Sequence, residues 1–92
     1  MRQQARAALS ILRRHQVEAE SGYSRSTIYL RMSQGLWPKP VAIGARAVGW
    51  PSGEVEALNA ARIAGRSDAE IRELVANLQA ARFNGMASGD AQ

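Results

Sequence analysis

The chain has 92 residues, with twelve Lys or Arg against eight Asp or Glu for a net charge of +4, one His and no Cys. That length suits one small domain with a thin core. The absence of Cys excludes a disulfide framework and a thiolate metal site, and His15 alone cannot build a zinc centre, so neither a metal nor another cofactor is expected.

Residues 1–10 mix Arg, Gln and Ala without an apolar stripe and are expected to form a flexible N-terminal arm. After Ile11 and Leu12, the stretch from Arg14 to Ser21 has short helical character with Val17 facing inward, and Gly22 can take the left-handed conformation that stops a helix. Ser24 is placed as the N-cap of a second helix, with Arg25, Ser26 and Thr27 in its first turn, Ile28 and Met32 on its inner face and Gly35 at its end. The helix cannot continue through LWPKP, because Pro38 and Pro40 lack the backbone donor and push the residue before each toward extended geometry.

Val41 and Ile43 then alternate with Ala42, Gly44-Ala45-Arg46-Ala47 has the length of a hairpin loop, and Val48 and Trp50 alternate with Gly49. A two-stranded wing is expected there. Pro51 ends it, and Ser52 is expected to cap a third helix through about Ala64, with Val55, Leu58 and Ile63 as its larger apolar side chains. Beyond Gly65, Ser67-Asp-Ala-Glu70 forms a capping box that opens a fourth helix to about Arg82, with Ile71, Leu74, Val75, Leu78 and Ala81 at helical spacing. Residues 85–92 are small and polar and are expected to be a disordered tail. The fold class is therefore mainly α with a small β-hairpin: a winged helix-turn-helix over residues 11–64, followed by a C-terminal helical extension over residues 65–84.

The charge is uneven along this plan. Residues 1–50 carry eight basic side chains against Glu18 and Glu20, whereas residues 51–92 carry four against six acidic ones. Eleven of the twelve basic residues are Arg, whose planar fork suits phosphates and guanine edges. The front half also holds two short helices joined at a glycine, the second beginning Ser-Arg-Ser-Thr, which is the arrangement whose second helix enters the DNA major groove end-first. First-turn amides carry the positive end of the helix dipole, and short hydroxyls allow close approach to a duplex.

A helical wheel anchored on Ile28 points Ser26, Leu30 and Ser33 away from the core, with Tyr29 and Thr27 at its two edges. Leu30 is a candidate for contact with a thymine methyl or else a partly covered surface leucine. Tyr29 either packs against the wing or offers its hydroxyl to a phosphate. Arg31, on the flank, can lay its stem over the core and point its head at the DNA backbone. Arg46 at the wing tip can follow the neighbouring minor groove. Trp37 and Trp50 are assigned to the core, His15 to the surface at the start of the first helix, and the carboxylates to helix surfaces or caps, where they form no acid/base pair.

Together, SGYSRSTIYLRMSQGLWPKPVAIGARAVGW and the helix after it resemble the AlpA family of phage-type regulators, winged helix-turn-helix proteins akin in fold to the MerR and excisionase group. The motifs that carry the resemblance are SRSTIY at 24–29, PKP at 38–40 and RAVGW at 46–50. It implies sequence-specific binding to double-stranded DNA in a prophage or other mobile element. The protein would act either as an excisionase, bending an attachment site so that an integrase excises the element, or as a transcriptional regulator. Ser24, Arg25, Ser26, Thr27 and Tyr29 map onto the reading helix, and Arg46 onto the wing contact. Leu30, Arg31, Lys39 and Arg14 complete the candidate DNA-binding set.

No enzymatic activity is expected. The expected partners are DNA, further copies of the chain on it, and an integrase or RNA polymerase. No membrane association is expected, because no apolar run spans a bilayer and the first residues lack the apolar segment of a secretory signal. The location expected is the bacterial cytoplasm, at the nucleoid when bound. A helical protein-interaction module without DNA binding is the competing class.

Overall fold

The computed structural model describes residues 10–90, so all of the expected N-terminal arm except Ser10 lies outside the described residues. The elements in order are β1 (Ile11–Leu12), α1 (Arg14–Ser21), α2 (Arg25–Ser33), β2 (Val41–Ala42), β3 (Val48–Pro51), α3 (Ser52–Ile63) and α4 (Asp68–Asp90). The winged helix-turn-helix with a C-terminal helix is present, and its sheet has one strand more than the sequence suggested. The order is β1-β3-β2, with both neighbours antiparallel to β3. Ile11 faces Pro51 and Leu12 faces Trp50 on one edge, while Val41 faces Gly49 and Ala42 faces Val48 on the other. Two residues are too few to display a period of two, which is why β1 reads in the sequence only as an apolar approach to α1.

Local signals end α1 and α2 and begin α2 and α4. Gly22, at φ 79°, sends its N–H back to the carbonyl of Glu18 and stops α1. Ser24 caps α2, its hydroxyl accepting from the amide of Thr27 at 3.2 Å. Gly35, at φ 77°, lets the chain turn so that the Leu36 amide reaches the Arg31 carbonyl at 2.8 Å. The capping box of α4 is formed as expected, with Ser67 N–H donating to Glu70 and Glu70 N–H donating to the Ser67 hydroxyl.

Three details depart from expectation. Ser52 is the first residue of α3 and not its cap: the cap position is Pro51, and the Ser52 amide donates to the Ser10 carbonyl at 2.7 Å. Ile63 is 87 % exposed, because the buried face of α3 runs through Val55 and Leu58 and Ile63 falls about a third of a turn off that line. The helical backbone of α4 continues to Asp90, past the end expected near Arg82 and through most of the segment expected to be a disordered tail.

The core sits where α1, α2, α3 and the sheet meet, with Val17, Ile28, Trp37, Trp50, Val55 and Leu58 buried, and α4 closes it with Ile71 and Val75. Trp37 and Trp50 are 1 % and 0 % exposed, the core role assigned to them. The indole of Trp50 also donates to the Pro38 carbonyl at 2.8 Å, tying the PKP segment to the central strand. Side chains of α3 satisfy the last carbonyls of α1: Asn59 donates to Glu20 O at 2.9 Å and Arg62 to Ser21 O at 2.8 Å. The helix pair is thus locked to a third helix before it meets any partner.

Candidate DNA-binding surface

The reading helix α2 buries Ile28 and leaves the opposite face open. Ser26, Leu30 and Ser33 are exposed, as the wheel predicted, with Leu30 at 55 %, and so are Arg25 and Tyr29. Their polar groups are not equally available. Ser24 uses its hydroxyl in the cap, donating to Thr27 Oγ1 at 3.0 Å, and the Ser33 hydroxyl donates to the Leu30 carbonyl at 2.6 Å. Arg25 sits over the ring of Tyr29, 5.9 Å from its centre, so the two form one unit at the front of the helix.

Tyr29 faces the wing. It borders a cleft with Arg46, Ala47 and Val48 of the hairpin and with Arg13, Arg14 and His15 at the start of α1. The site residues brought together are therefore Arg14, Tyr29 and Arg46, with Arg25 reaching them over the Tyr29 ring. Arg13 and His15 join them, although neither was singled out as a DNA contact. A signal for both was available in RRH at 13–15, since a helix beginning beside the reading helix presents its first residues to the same side. Arg14 also pairs with Glu18 one turn along, which holds its guanidinium near the cleft without adding a carboxylate to the lining. Three arginines and a histidine thus surround one phenol. Such a surface attracts phosphate and keeps the walls low in opposing charge.

Two candidate residues stand elsewhere. Arg31 turns to the opposite flank of α2, where it lies 5.8 Å from the ring centre of Tyr23, and Arg62 stacks on the same ring at 4.1 Å. Its Nε is buried with no hydrogen-bond partner among the described residues. Lys39 lies against α4, its backbone N–H donating to Gln79 and its carbonyl accepting from Arg82. Glu54 is the other departure: expected on a helix surface, it is buried and bonded by Arg82 through both carboxylate oxygens.

The family profile described as Prophage CP4-57 regulatory protein (AlpA) matches residues 10–63, more than half of the chain. The chain belongs to the AlpA family. The matched stretch runs from just before β1 to the end of α3 and so contains the helix pair, the wing and the helix behind them. The description of that family is of a prophage regulatory protein. The uncharacterized protein ORF88 of Enterobacteria phage P4 is 49 % identical to it over 45 residues, which make up 49 % of this chain and 51 % of that protein. The chain thus spans about half the length of the curated relative it matches. No solved structure matches it. Among the described residues, no helix is long and apolar enough to cross a membrane, and no cluster of His, Asp and Glu could hold a metal ion.

Proposed function

We propose that this AlpA protein grips DNA at two points, with α2 in a major groove and the wing along the next minor groove, and that it acts as an excisionase on the ends of a mobile element. The observation that carries the two-point grip is the shared cleft of Tyr29 and Arg46, flanked by Arg13 and Arg14. Ser26, Leu30 and the Arg25–Tyr29 pair are the side chains that read bases or seat the helix, and Arg14 and Arg46 hold phosphates on the side of the wing. Ser24 and Thr27 act mainly through the cap, which leaves first-turn amides of α2 to face a phosphate. Lys39 contributes charge from behind the wing, and Arg31 reaches the backbone on the far flank.

A duplex gripped in two successive grooves from one side gains contact when it curves toward the protein, so bending is the expected consequence of binding. Bending is also what excision of an integrated element requires, since distant recombinase sites must be brought together. Several copies side by side would add specificity that one reading helix lacks. Transcriptional regulation is favoured by a different observation, the description of the matching family as a regulatory protein. Both roles use the same surface.

The test is footprinting of the purified protein on DNA flanking its own gene and on the ends of any integrated element nearby, with bending followed by circularly permuted fragments. Protection and bending at an element end support excision. Protection confined to a promoter supports transcriptional control and sinks the excisionase assignment.

A further inference from the structure

Helix α4 lies wholly beyond residues 10–63 that define the family match, yet its side chains hold the backbone that joins the reading helix to the wing. Arg72 Nε donates to the carbonyl of Gln34, the cap residue of α2, at 2.8 Å. Seven residues on, Gln79 Oε1 accepts from the N–H of Lys39 at 2.7 Å, and Arg82 Nη2 donates to the carbonyl of the same residue at 2.8 Å. Positions 72, 75, 79 and 82 share one side of a helix, and Val75 on that side is buried in the core. The two ends of the connecting segment are therefore fixed to one rigid rod. Between them, buried Pro38 takes the indole hydrogen bond of Trp50 from the central strand, so a shift at Lys39 is carried directly to the wing.

We propose that α4 is a strut that sets the angle between α2 and the wing, and that Arg72 and Gln79 are positioning residues for DNA binding. This rests on the reading that both α2 and Arg46 touch the duplex. Two contacts on separate elements bind best when their relative placement is settled before the partner arrives, because an unfixed wing loses freedom on binding. Gln79 is the cleanest element of the device: it holds the wing root by a side-chain acceptor, and its bond to Lys39 is to the backbone amide and leaves that residue's charged group in place. Arg82 also serves Glu54, so its loss would strand a buried carboxylate.

The test uses the full chain in two settings. Without DNA, residual dipolar couplings are measured for residues 24–33 and 41–50 together with hydrogen exchange of the Lys39 amide. In Gln79→Ala the two segments should no longer fit one rigid orientation, and the Lys39 amide should exchange about three- to tenfold faster, the range for one lost hydrogen bond. Gln79→Glu keeps the acceptor oxygen and should retain the orientation.

With DNA, anisotropy is measured on a duplex selected from a random pool by the wild-type protein and on a scrambled control. Gln79→Ala and Arg72→Ala should each weaken binding to the selected duplex about three- to tenfold, and the loss should shrink in an Arg46→Ala background, where the wing angle no longer matters. An unchanged orientation in Gln79→Ala, or an equal loss with and without Arg46, overturns the strut. A random pool that yields no preferred duplex refutes the DNA-binding assignment instead, and the dipolar couplings then decide the strut alone.

Discussion

Arg82 closes on Glu54 with two parallel hydrogen bonds, Nε to Oε2 and Nη2 to Oε1, across the seam between α4 and α3. Glu54 is nearly solvent-free while Arg82 remains about one-fifth exposed, 8 % against 22 % for the side chains. The pair is therefore asymmetric: the carboxylate depends on the guanidinium more than the reverse. Removing Arg82 alone should cost about 3 kcal/mol or more, because a buried charge is left without a partner. Replacing both with apolar residues, as in Glu54→Leu with Arg82→Met, should recover most of that loss, since the desolvation of two charges is no longer needed. Urea unfolding of Arg82→Met and of the double variant measures the difference, and equal destabilisation by both would show that the ion pair itself supplies the stability.

The central strand makes a separate demand at Gly49. A Cβ there would stand 2.5 Å from Ile11 Cγ2 and 2.9 Å from the Leu12 carbonyl oxygen, so β1 can approach β3 only because this residue has no side chain. Gly22 is different: its φ of 79° disfavours other residues, but open space surrounds it. Gly49→Ala should cost about 1–3 kcal/mol through overpacking and backbone displacement, and Gly22→Ala about 1–2 kcal/mol through backbone strain alone. Thermal melts rank them by cost. Cross-strand nuclear Overhauser effects between Leu12 and Trp50 separate them by mechanism, being lost in Gly49→Ala and kept in Gly22→Ala.

Much of this architecture was legible in the sequence because each element announced itself locally. The Ser24 cap, the Ser67–Glu70 box, the paired prolines and the alternation around Gly44–Ala47 are short-range signals, and the backbone obeys all of them. What stayed hidden depends on distance in sequence. β1 exists because Pro51 and Trp50 come to meet Ile11 and Leu12, and no two-residue stretch can forecast its partner. Glu54 looks like an ordinary acidic residue in a first helical turn, and only Arg82, 28 positions on, explains its burial. The candidate surface divides the same way: the outward face of α2 follows from helical periodicity, whereas the meeting of Tyr29 with Arg13, Arg14 and Arg46 follows from packing.

If DNA is gripped at the two proposed points, the cleft arginines and the outward face of α2 respond differently to substitution. Arg14 and Arg46 are proposed to hold phosphates, so Arg14→Ala and Arg46→Ala should each weaken selected and scrambled duplexes alike. Each should also reduce the slope of log affinity against log salt by about one. Ser26→Ala and Leu30→Ala remove groups from the face offered to bases, and should cost about 1–3 kcal/mol on the selected duplex with little effect on the scrambled one. Anisotropy titrations over a salt series read both quantities. A salt slope unchanged by Arg46→Ala would remove the wing from the interface.

Stability in acid should depend on the start of the strut. The N–H of Ser67 donates to Glu70 at 2.9 Å. That backbone hydrogen bond, then the one with the Ser67 side chain, hold the Glu70 carboxyl below its usual range; desolvation opposes them, and the nearby charge of Arg66 adds a lesser lowering. The sign follows from the direction: a carboxyl depressed in the folded state stabilises it above the ordinary carboxylate range, and the contribution is lost as the pH falls through the depressed folded value. Glu70→Gln can still accept from Ser67 but does not titrate, so its helix start should be indifferent to pH over that window. Hydrogen exchange of the first amides of α4 between neutral and strongly acidic pH tests this. Protection should fall with acidification in the wild type and stay level in Glu70→Gln, and parallel curves would assign the acid sensitivity to another carboxylate.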